Sequence, residues 1–123
     1  MDKNEISGAV VDAAMKIHSA LGPGLLESAY AVCLKHELVK RGLRVASEVP
    51  LPVIYDDVKL EVGYRLDLVV EDTVVVELKA IEALAPIHQA QIISYLKLSG
   101  KPIGLLINFH SFHLKDGIKR FVV

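Results

Sequence analysis

Three charged side chains interrupt the most apolar part of this chain. Asp67, Glu77 and Lys79 lie in a segment that otherwise consists largely of Val and Leu. Two carboxylates beside a lysine can hold a divalent cation, because Mg²⁺ and Mn²⁺ prefer oxygen ligands. The same residue types also occur on the solvated outer face of an antiparallel sheet. From these three residues alone, both interpretations stay open.

The elements that carry these residues are two short strands. Leu66–Val70 and Val74–Leu78 are rich in Val and Leu, and this composition over about five residues is typical of buried strands. The run Glu71-Asp72-Thr73 between them is polar and predicts a turn. Together the three segments predict a β-hairpin.

The length of the turn decides whether the charged side chains meet. If the turn has three residues, Val70 pairs with Val74, and counting outward places Asp67 opposite Glu77. Alternate residues of a strand share a face, so Lys79 lies on the same side as Glu77. Two facing carboxylates repel by an energy comparable to the ~0.2–1 kcal/mol of a good cross-strand pair, and a cation between them reverses that sign. A two-residue turn would put Asp67 and Glu77 on opposite faces.

Three helices are predicted around the hairpin. Apolar residues at helical spacing predict the first over Asn4–Leu21, with Asn4 as its N-cap. The second is predicted over Leu26–Arg41 and ends at Gly42, and the third over Ala85–Ser99.

Further strands are predicted on both sides of the third helix. Their ranges are Arg44–Leu51, Val53–Tyr55, Val58–Val62, Ile103–Asn108 and Gly117–Val123. The first three should form an antiparallel meander that leads into the hairpin. A helix between the Glu77 strand and the next strand allows a right-handed parallel crossover, which favours an α/β fold with a central mixed β-sheet and helices on both faces.

Length and charge limit the classes of protein. The 123 residues, of which 52% are hydrophobic, predict a single domain over residues 1–123. No apolar run approaches the ~18 residues that span a bilayer, and no signal peptide is recognisable, so we expect a cytoplasmic protein with no membrane partner. A net charge of −1 argues against a broad basic surface that coats nucleic acid, although a local basic groove is compatible with it.

Polar residues on two of the predicted helices could complete a site. Gln91 and Tyr95 are four residues apart and share the helix face that should pack on the sheet. They either reach solvent at the rim, or they bind phosphate or orient the strand that carries Glu77 and Lys79. Glu27 lies in the first turn of the second helix, where a carboxylate is electrostatically favoured. It either stabilises the helix start or acts as a third metal-binding carboxylate.

These segments together resemble a known family. Gly24-Leu-Leu-Glu27-Ser-Ala-Tyr30 resembles the motif of the GxxExxY family. Asp67, Glu77-Leu-Lys79 and Gln91-Ile-Ile-Ser-Tyr95 follow in the order used by the PD-(D/E)xK nuclease superfamily, especially its RecB-type branch. One departure is that no Pro precedes Asp67. The resemblance runs from about residue 18 to the C-terminus and implies a restriction-endonuclease-like core.

The resemblance also implies a metal-dependent nuclease. Asp67 and Glu77, helped by Glu27 and the carbonyl of Leu78, would hold one or two Mg²⁺ or Mn²⁺ ions that activate a water molecule. Lys79 would orient or deprotonate that water and offset negative charge on the phosphate. The residues expected to contact the substrate are Gln91, Tyr95 and Tyr30.

Partners follow from the same resemblance. The expected substrate is nucleic acid, with DNA as the first choice. The alternative is a catalytically inactive module that keeps the nuclease fold and binds nucleic acid or a protein partner, since fold does not determine function. A homodimer is also considered, in which the apolar first helix packs against a copy of itself.

Overall fold

The computed structural model describes residues 1–123, which form two sheets and three α-helices. The helices are α1 (Lys3–Leu21), α2 (Glu27–Lys40) and α3 (Pro86–Ser99). The strands are β1 (Val45–Pro50), β2 (Val53–Tyr55), β3 (Val58–Leu60), β4 (Arg65–Val70), β5 (Val74–Lys79), β6 (Ile103–Asn108) and β7 (Ile118–Val122). A short 3₁₀ turn, Leu114–Gly117, precedes β7.

The central sheet has five strands in the order β1-β4-β5-β6-β7. Strands β5 and β6 are parallel, and all other neighbours are antiparallel. Helix α3 connects the two parallel strands, as the crossover in the sequence predicted. The predicted α/β class with a mixed sheet is therefore confirmed.

Helices cover both faces of this sheet. On one face, Leu68 and Val76 belong to a core that includes Leu34 of α2 and the apolar stripe of α1. On the other face, Val69 and Val75 pack with Leu96 of α3. Alternate residues of β4 and β5 thus serve opposite layers, as the period of a strand requires.

Helix α3 approaches the sheet closely because one strand residue lacks a side chain. A Cβ atom at Gly104 of β6 would lie 2.9 Å from Cδ1 of Ile92 and 3.0 Å from Cδ1 of Leu96. Those separations are shorter than normal contacts between carbon atoms. Gly104 therefore lets α3 lie directly on the sheet.

The predicted meander of the first strands is wrong. Strands β2 and β3 pair only with each other in a separate two-stranded sheet, and β1 pairs directly with β4. The Leu51 amide still donates a 2.9 Å hydrogen bond to the Tyr64 carbonyl, but Pro52, which follows directly, has no N–H to donate to a sheet ladder. The chain therefore leaves the central sheet after β1 and returns to it at Arg65.

The N-cap of α1 also differs from the prediction. Asp2, rather than Asn4, caps the helix: its Oδ1 accepts a 2.8 Å hydrogen bond from the Glu5 amide, and the Asp2 amide donates to the Glu5 carboxylate. This is a capping box, whose spacing of three residues is visible in the sequence. The helix accordingly begins one residue earlier, at Lys3.

An ion-pair cluster joins α1 to α2. Arg41 donates to Oε2 of Glu37 at 2.8 Å and to Asp12 at 2.7 Å, and Nζ of Lys16 lies 3.2 Å from Oε1 of Glu37. Hydrogen bonds from Arg41 and then Lys16 hold the pKa of Glu37 below its ordinary value. The cluster fixes the orientation of α2, whose first residue is Glu27.

The apolar stripe of α1 is used inside the chain. The stripe is buried in the core beneath the central sheet; its residues are Ile6, Val10, Ala13, Ala14 and Ile17. The stripe is therefore not free to pack against a copy of the chain, and the homodimer stays a prediction without this support. None of the helices has the length and apolar character needed to cross a membrane.

Candidate active site

The β4–β5 turn has the length that brings the charged side chains together. Val70 pairs with Val74, and the three residues between them form the turn. Glu71 and Asp72 have positive φ values of 52° and 53°, and the Thr73 amide donates a 3.0 Å hydrogen bond to the Val70 carbonyl. Positive φ at both central residues is the conformation of a type I′ turn. The predicted three-residue turn is confirmed.

The ladder opens where Asp67 and Glu77 face each other. Backbone pairing between β4 and β5 extends only to Leu68 and Val76, whereas β4 stays paired with β1 as far as Arg65. In the gap, the Asp67 amide donates a 3.2 Å hydrogen bond to Oε1 of Glu77. The Leu78 amide donates a 2.8 Å hydrogen bond to Oδ2 of Asp67. Two carboxylates thus replace the next ladder bonds.

Burial makes the Glu77 carboxyl unusually basic. Its residue is only 6% exposed. Desolvation, followed by the negative charge of Asp67, raises the pKa of Glu77 to about 8, although the Lys79 ammonium opposes the shift. In the absence of a bound cation, Glu77 therefore keeps its proton at neutral pH. A divalent cation held by Asp67 and Glu77 would supply the positive charge that this proton supplies in its absence.

Two further carboxylates approach the pair. Glu27, the first residue of α2, keeps an exposed surface, yet partial desolvation and the charges of Asp67 and Glu48 raise its pKa, while Lys79 lowers it. Glu48 was missed in the sequence. The β1–β4 register puts it opposite Asp67, and its φ of 52° is unusual for a non-glycine residue in a strand.

The donor set suits a hard cation, although the side chains are not arranged around one. No group of three or more His, Cys, Asp or Glu side chains lies in metal-binding geometry in this conformation. The chemistry of the pair nevertheless fits, because two adjacent carboxyl groups supply oxygen ligands and one holds a proton that a cation can displace. The Leu78 carbonyl lies on the same edge of β5 as the Leu78 amide, which bonds to Asp67.

Gln91 and Tyr95 lie one turn apart on the same face of α3. They line a hollow of about 360 Å³ that also includes Tyr64. The rings of Tyr64 and Tyr95 are 6.0 Å apart. Burial, followed by the charge of Glu77, raises the pKa of Tyr95, so its hydroxyl is near the pair. Tyr64 was missed, because it precedes β4 without a recognisable motif.

Tyr30 is not placed to contact a substrate. Its side chain is fully buried and stacks on Phe109 with ring centroids 4.4 Å apart. The hydroxyl donates to the Gly22 carbonyl at 2.5 Å and accepts from the Leu25 amide at 3.0 Å. The expectation that Tyr30 contacts the substrate is therefore wrong. Tyr30 instead holds the loop that leads into Glu27.

A cleft lies beside Lys79, where the parallel strands β5 and β6 end. Its volume is about 670 Å³, and its polar side chains are Glu27, Lys79, His88 and His110. Ligands commonly bind beyond the carboxyl ends of parallel strands, which is the position of this cleft. A separate apolar groove of about 510 Å³, between β1 and the end of α3, contains neither carboxylate of the pair.

The Asn108 side chain holds two of the segments that line this cleft. Its side chain is almost fully buried. Its Oδ1 accepts from the amides of Ile81 at 3.1 Å and His110 at 3.3 Å, and its Nδ2 donates to the Ile81 carbonyl at 2.9 Å. Because Asn108 also pairs with Lys79 in the parallel ladder, it fixes both segments that border the cleft. Its place at a strand end was the one signal for Asn108 in the sequence.

The sequence matches the PD-(D/E)XK nuclease superfamily over residues 4–121. The match covers nearly the whole chain, so the protein belongs to this superfamily, which supports a nuclease-type function. The mixed five-stranded sheet with three helices is consistent with a restriction-endonuclease-like domain. A search of curated proteins and a search of solved structures each found no significant match.

Proposed function

We propose that the protein is a nuclease that depends on a divalent metal and hydrolyses phosphodiester bonds, with DNA as the first substrate to test. The observation that carries the proposal is the buried contact between Asp67 and Glu77. The pKa of Glu77 is raised first by burial and then by the charge of Asp67, which supports a fold that buries one carboxyl group beside another. A structural role alone gives no reason to do so, because like charges in a sheet destabilise it.

The residues proposed to hold Mg²⁺ or Mn²⁺ are Asp67 and Glu77, together with Glu27 and the carbonyl of Leu78. Glu27 is the first residue of α2 and is exposed. Its pKa is raised by partial burial and then by the charge of Asp67. When bound, the metal supplies Lewis-acid activation of water and charge neutralisation at the phosphate.

The other residues act on water and substrate. Lys79 shares a strand face with Glu77, so its ammonium can orient the attacking water and stabilise negative charge that develops on the phosphate. Gln91 can donate a hydrogen bond to a phosphate oxygen. The Tyr95 hydroxyl, close to Glu77, can hold that carboxylate in position.

We also propose that the chain belongs to the GxxExxY group within the RecB-type branch. The support is the segment from Gly24 to Tyr30, whose two defining side chains have distinct places in the structure. Glu27 faces the site, and Tyr30 holds the preceding loop. The two roles explain why a Glu and a Tyr would be needed three residues apart.

Cleavage assays test the proposed function. Plasmid, linear duplex, single-stranded DNA and RNA are each incubated with the protein and Mg²⁺ or Mn²⁺. Cleavage of at least one substrate is expected, with loss of activity in Glu77→Ala and Lys79→Ala. The exposed Glu82→Gln variant is the matched control and should cleave normally. Absence of cleavage of every substrate, or equal cleavage by the alanine variants, contradicts the proposal.

The second candidate is an inactive module that binds nucleic acid or a protein partner. It is favoured by the absence of three side chains in metal-binding geometry. Titration with Mn²⁺ by calorimetry separates the two candidates: a nuclease should bind the metal and lose binding in Glu77→Gln, whereas an inactive module need not bind it. Light scattering on the same samples determines whether the protein is a monomer or a homodimer.

A further inference from the structure

We propose that the cleft beside Lys79 binds the phosphate next to the cleavage point of a single nucleic-acid strand, and that Phe112 stacks on a base of the same strand. His88 and His110 supply N–H groups that donate hydrogen bonds to that phosphate. This inference rests on the proposed nuclease function, which defines the cleavage point, but the binding can be measured without cleavage.

The cleft collects nitrogen donors from separate parts of the chain. Lys79 comes from the end of β5, His88 from the first turn of α3, and His110 from the loop after β6. Glu27 is the only carboxylate in the lining, and it lies towards Asp67 and Lys79. The lining therefore offers an anion three nitrogen-bearing side chains against one carboxylate, and neither Asp67 nor Glu77 belongs to it.

The proton on His88 has a defined position. Its Nδ1 atom lies 2.8 Å from the Ala85 amide, which can only donate, so Nδ1 is the acceptor in this bond. A neutral imidazole that accepts at Nδ1 carries its proton on Nε2. Nε2–H is thus left as a donor for a phosphate oxygen. His110 makes no hydrogen bond through its ring, so both of its ring nitrogens are also free for a ligand.

The loop that carries His110 also presents an aromatic side chain to solvent. Phe112 is 87% exposed, which is unusual for an apolar residue of its size. The loop is held in place by a 2.7 Å hydrogen bond between Nε2 of His18 and the Ser111 carbonyl. Proteins that bind single strands combine side chains that bind phosphate with exposed aromatic rings on which unpaired bases stack. Phe112 is two residues from His110 in the chain, which supports its assignment to that stacking role.

Lys79 connects the carboxyl pair to the cleft. It lies on the same strand as Glu77 and also lines the cleft. A strand with one phosphate at the carboxyl pair would therefore place a neighbouring phosphate in the cleft. His88 and His110 are assigned to the binding of that phosphate, so they are substrate-binding residues.

Fluorescence anisotropy with a labelled oligothymidylate tests this binding site. Ca²⁺ replaces Mg²⁺ in the assay, and the full-length protein is used. His110→Gln should weaken binding about 3–10-fold, and Phe112→Ala about 5-fold or more, with recovery in Phe112→Tyr. The matched controls His36→Gln and His113→Gln remove exposed histidines outside the cleft, and should bind like the wild type.

His88 needs a variant that keeps α3 intact. Glu at the third helical position can accept the Ala85 amide bond in the ordinary way, so His88→Glu preserves the helix start while replacing the Nε2–H donor with a negative charge. We expect about 10-fold weaker binding in His88→Glu with an unchanged unfolding midpoint. Ile87→Glu adds the same charge at the exposed neighbouring position and is the control. If His88 only capped the helix, the two variants would weaken binding equally.

Nuclear magnetic resonance of the histidine rings distinguishes the possible ligands. With metal removed, a short oligothymidylate should shift the ring signals of His88 and His110 but leave those of His36 and His113 in place, and His88 should show its proton on Nε2. Shifts with inorganic phosphate but not with the oligonucleotide, a proton on Nδ1, or tighter binding of a duplex of the same sequence would each overturn the proposal.

The same experiments separate this inference from the proposed function. Weaker binding in the histidine variants of a protein that never cleaves would leave the single-strand site in place on an inactive module. Normal binding by those variants in a protein that does cleave would contradict the proposed single-strand site and leave the proposed nuclease function supported.

Discussion

The amide N–H of Asp67 donates a 3.2 Å hydrogen bond to Oε1 of Glu77 at the point where their strands separate. The bond takes the place of a contact that two backbones would make in a regular ladder. It holds the Glu77 carboxyl beside Asp67 before any cation is present. The ionisation of Glu77 is therefore coupled to the stability of the hairpin.

The metal-free protein should lose stability as pH rises. The pKa of Glu77 is about 8 in the folded protein, against an ordinary value of 4.5. Between these values the folded state binds a proton that the unfolded chain has released. The Glu77 contribution to the free energy of unfolding therefore falls with pH, at about 1.4 kcal/mol per pH unit, and levels off above about pH 8. Urea denaturation in the presence of a chelator, across that range, measures the slope.

Two variants identify Glu77 as the source of that slope. Glu77→Gln cannot ionise, so its stability should vary less with pH, and the difference from the wild type should grow as pH rises. Glu82→Gln, at an exposed position, should follow the wild type. Added Mn²⁺ should stabilise the wild type most near pH 8, because binding to the folded state alone raises its stability. Parallel curves for wild type and Glu77→Gln would show that this proton is absent.

Replacement of Lys79 should reduce catalysis more than metal binding. Lys79→Met removes a cation that would stabilise developing charge, and the loss of one such group typically lowers kcat about 10²–10³-fold. Because Lys79 is not a proposed metal ligand, Mn²⁺ should still bind. Single-turnover cleavage and calorimetry test the two expectations separately. The exposed Lys97→Met variant on α3 is the control, and a similar loss there would point to a general charge effect.

The hairpin could be predicted from sequence because local rules determine it. The strand period and a turn of three residues are sufficient to place Asp67 opposite Glu77, and both are properties of one short segment. Helix limits were also predictable to within a residue or two, since apolar spacing and Gly42 mark them. Predictions of this kind depend on few long-range contacts.

Contacts between distant segments could not be predicted in the same way. Glu48 lies opposite Asp67 only because β1 skips β2 and β3 to pair with β4, and the sequence does not encode that pairing locally. His110 reaches the cleft because β6 lies beside β5. Tyr30 fits both a core stripe and a functional motif, and the burial that determines its role appears only in the folded chain.

Tyr30→Phe should destabilise the protein without removing a substrate contact. The change leaves the ring on Phe109 but deprives the Gly22 carbonyl and the Leu25 amide of their partner. Loss of such a buried hydroxyl costs about 1–3 kcal/mol. Chemical denaturation measures this cost. At temperatures where the variant is folded, the KM for nucleic acid should be unchanged, and a large rise in KM would restore Tyr30 as a substrate-binding residue.

Asn108→Ala should both destabilise the fold and impair Lys79. The substitution removes the acceptor for the Ile81 and His110 amides and the donor to the Ile81 carbonyl. The expected decrease in the free energy of unfolding is about 1–3 kcal/mol, because buried backbone groups lose their partners. The cost is limited because Ile81 is only partly buried, so water can replace some of these bonds. Release of the segment after β5 also frees Lys79 to move, so kcat should fall about 10-fold, because small displacements of catalytic groups reduce rates strongly.

Asn108→Asp separates the positioning role of Asn108 from its bulk. Aspartate has nearly the same shape and can accept from both amides, but its carboxylate cannot donate to the Ile81 carbonyl and repels it. If the donor matters, Asn108→Asp should lose kcat as Asn108→Ala does, although it fills the same space. Denaturation and single-turnover cleavage on both variants give the comparison. Wild-type kcat in Asn108→Asp would show that the Ile81 carbonyl bond does not position Lys79.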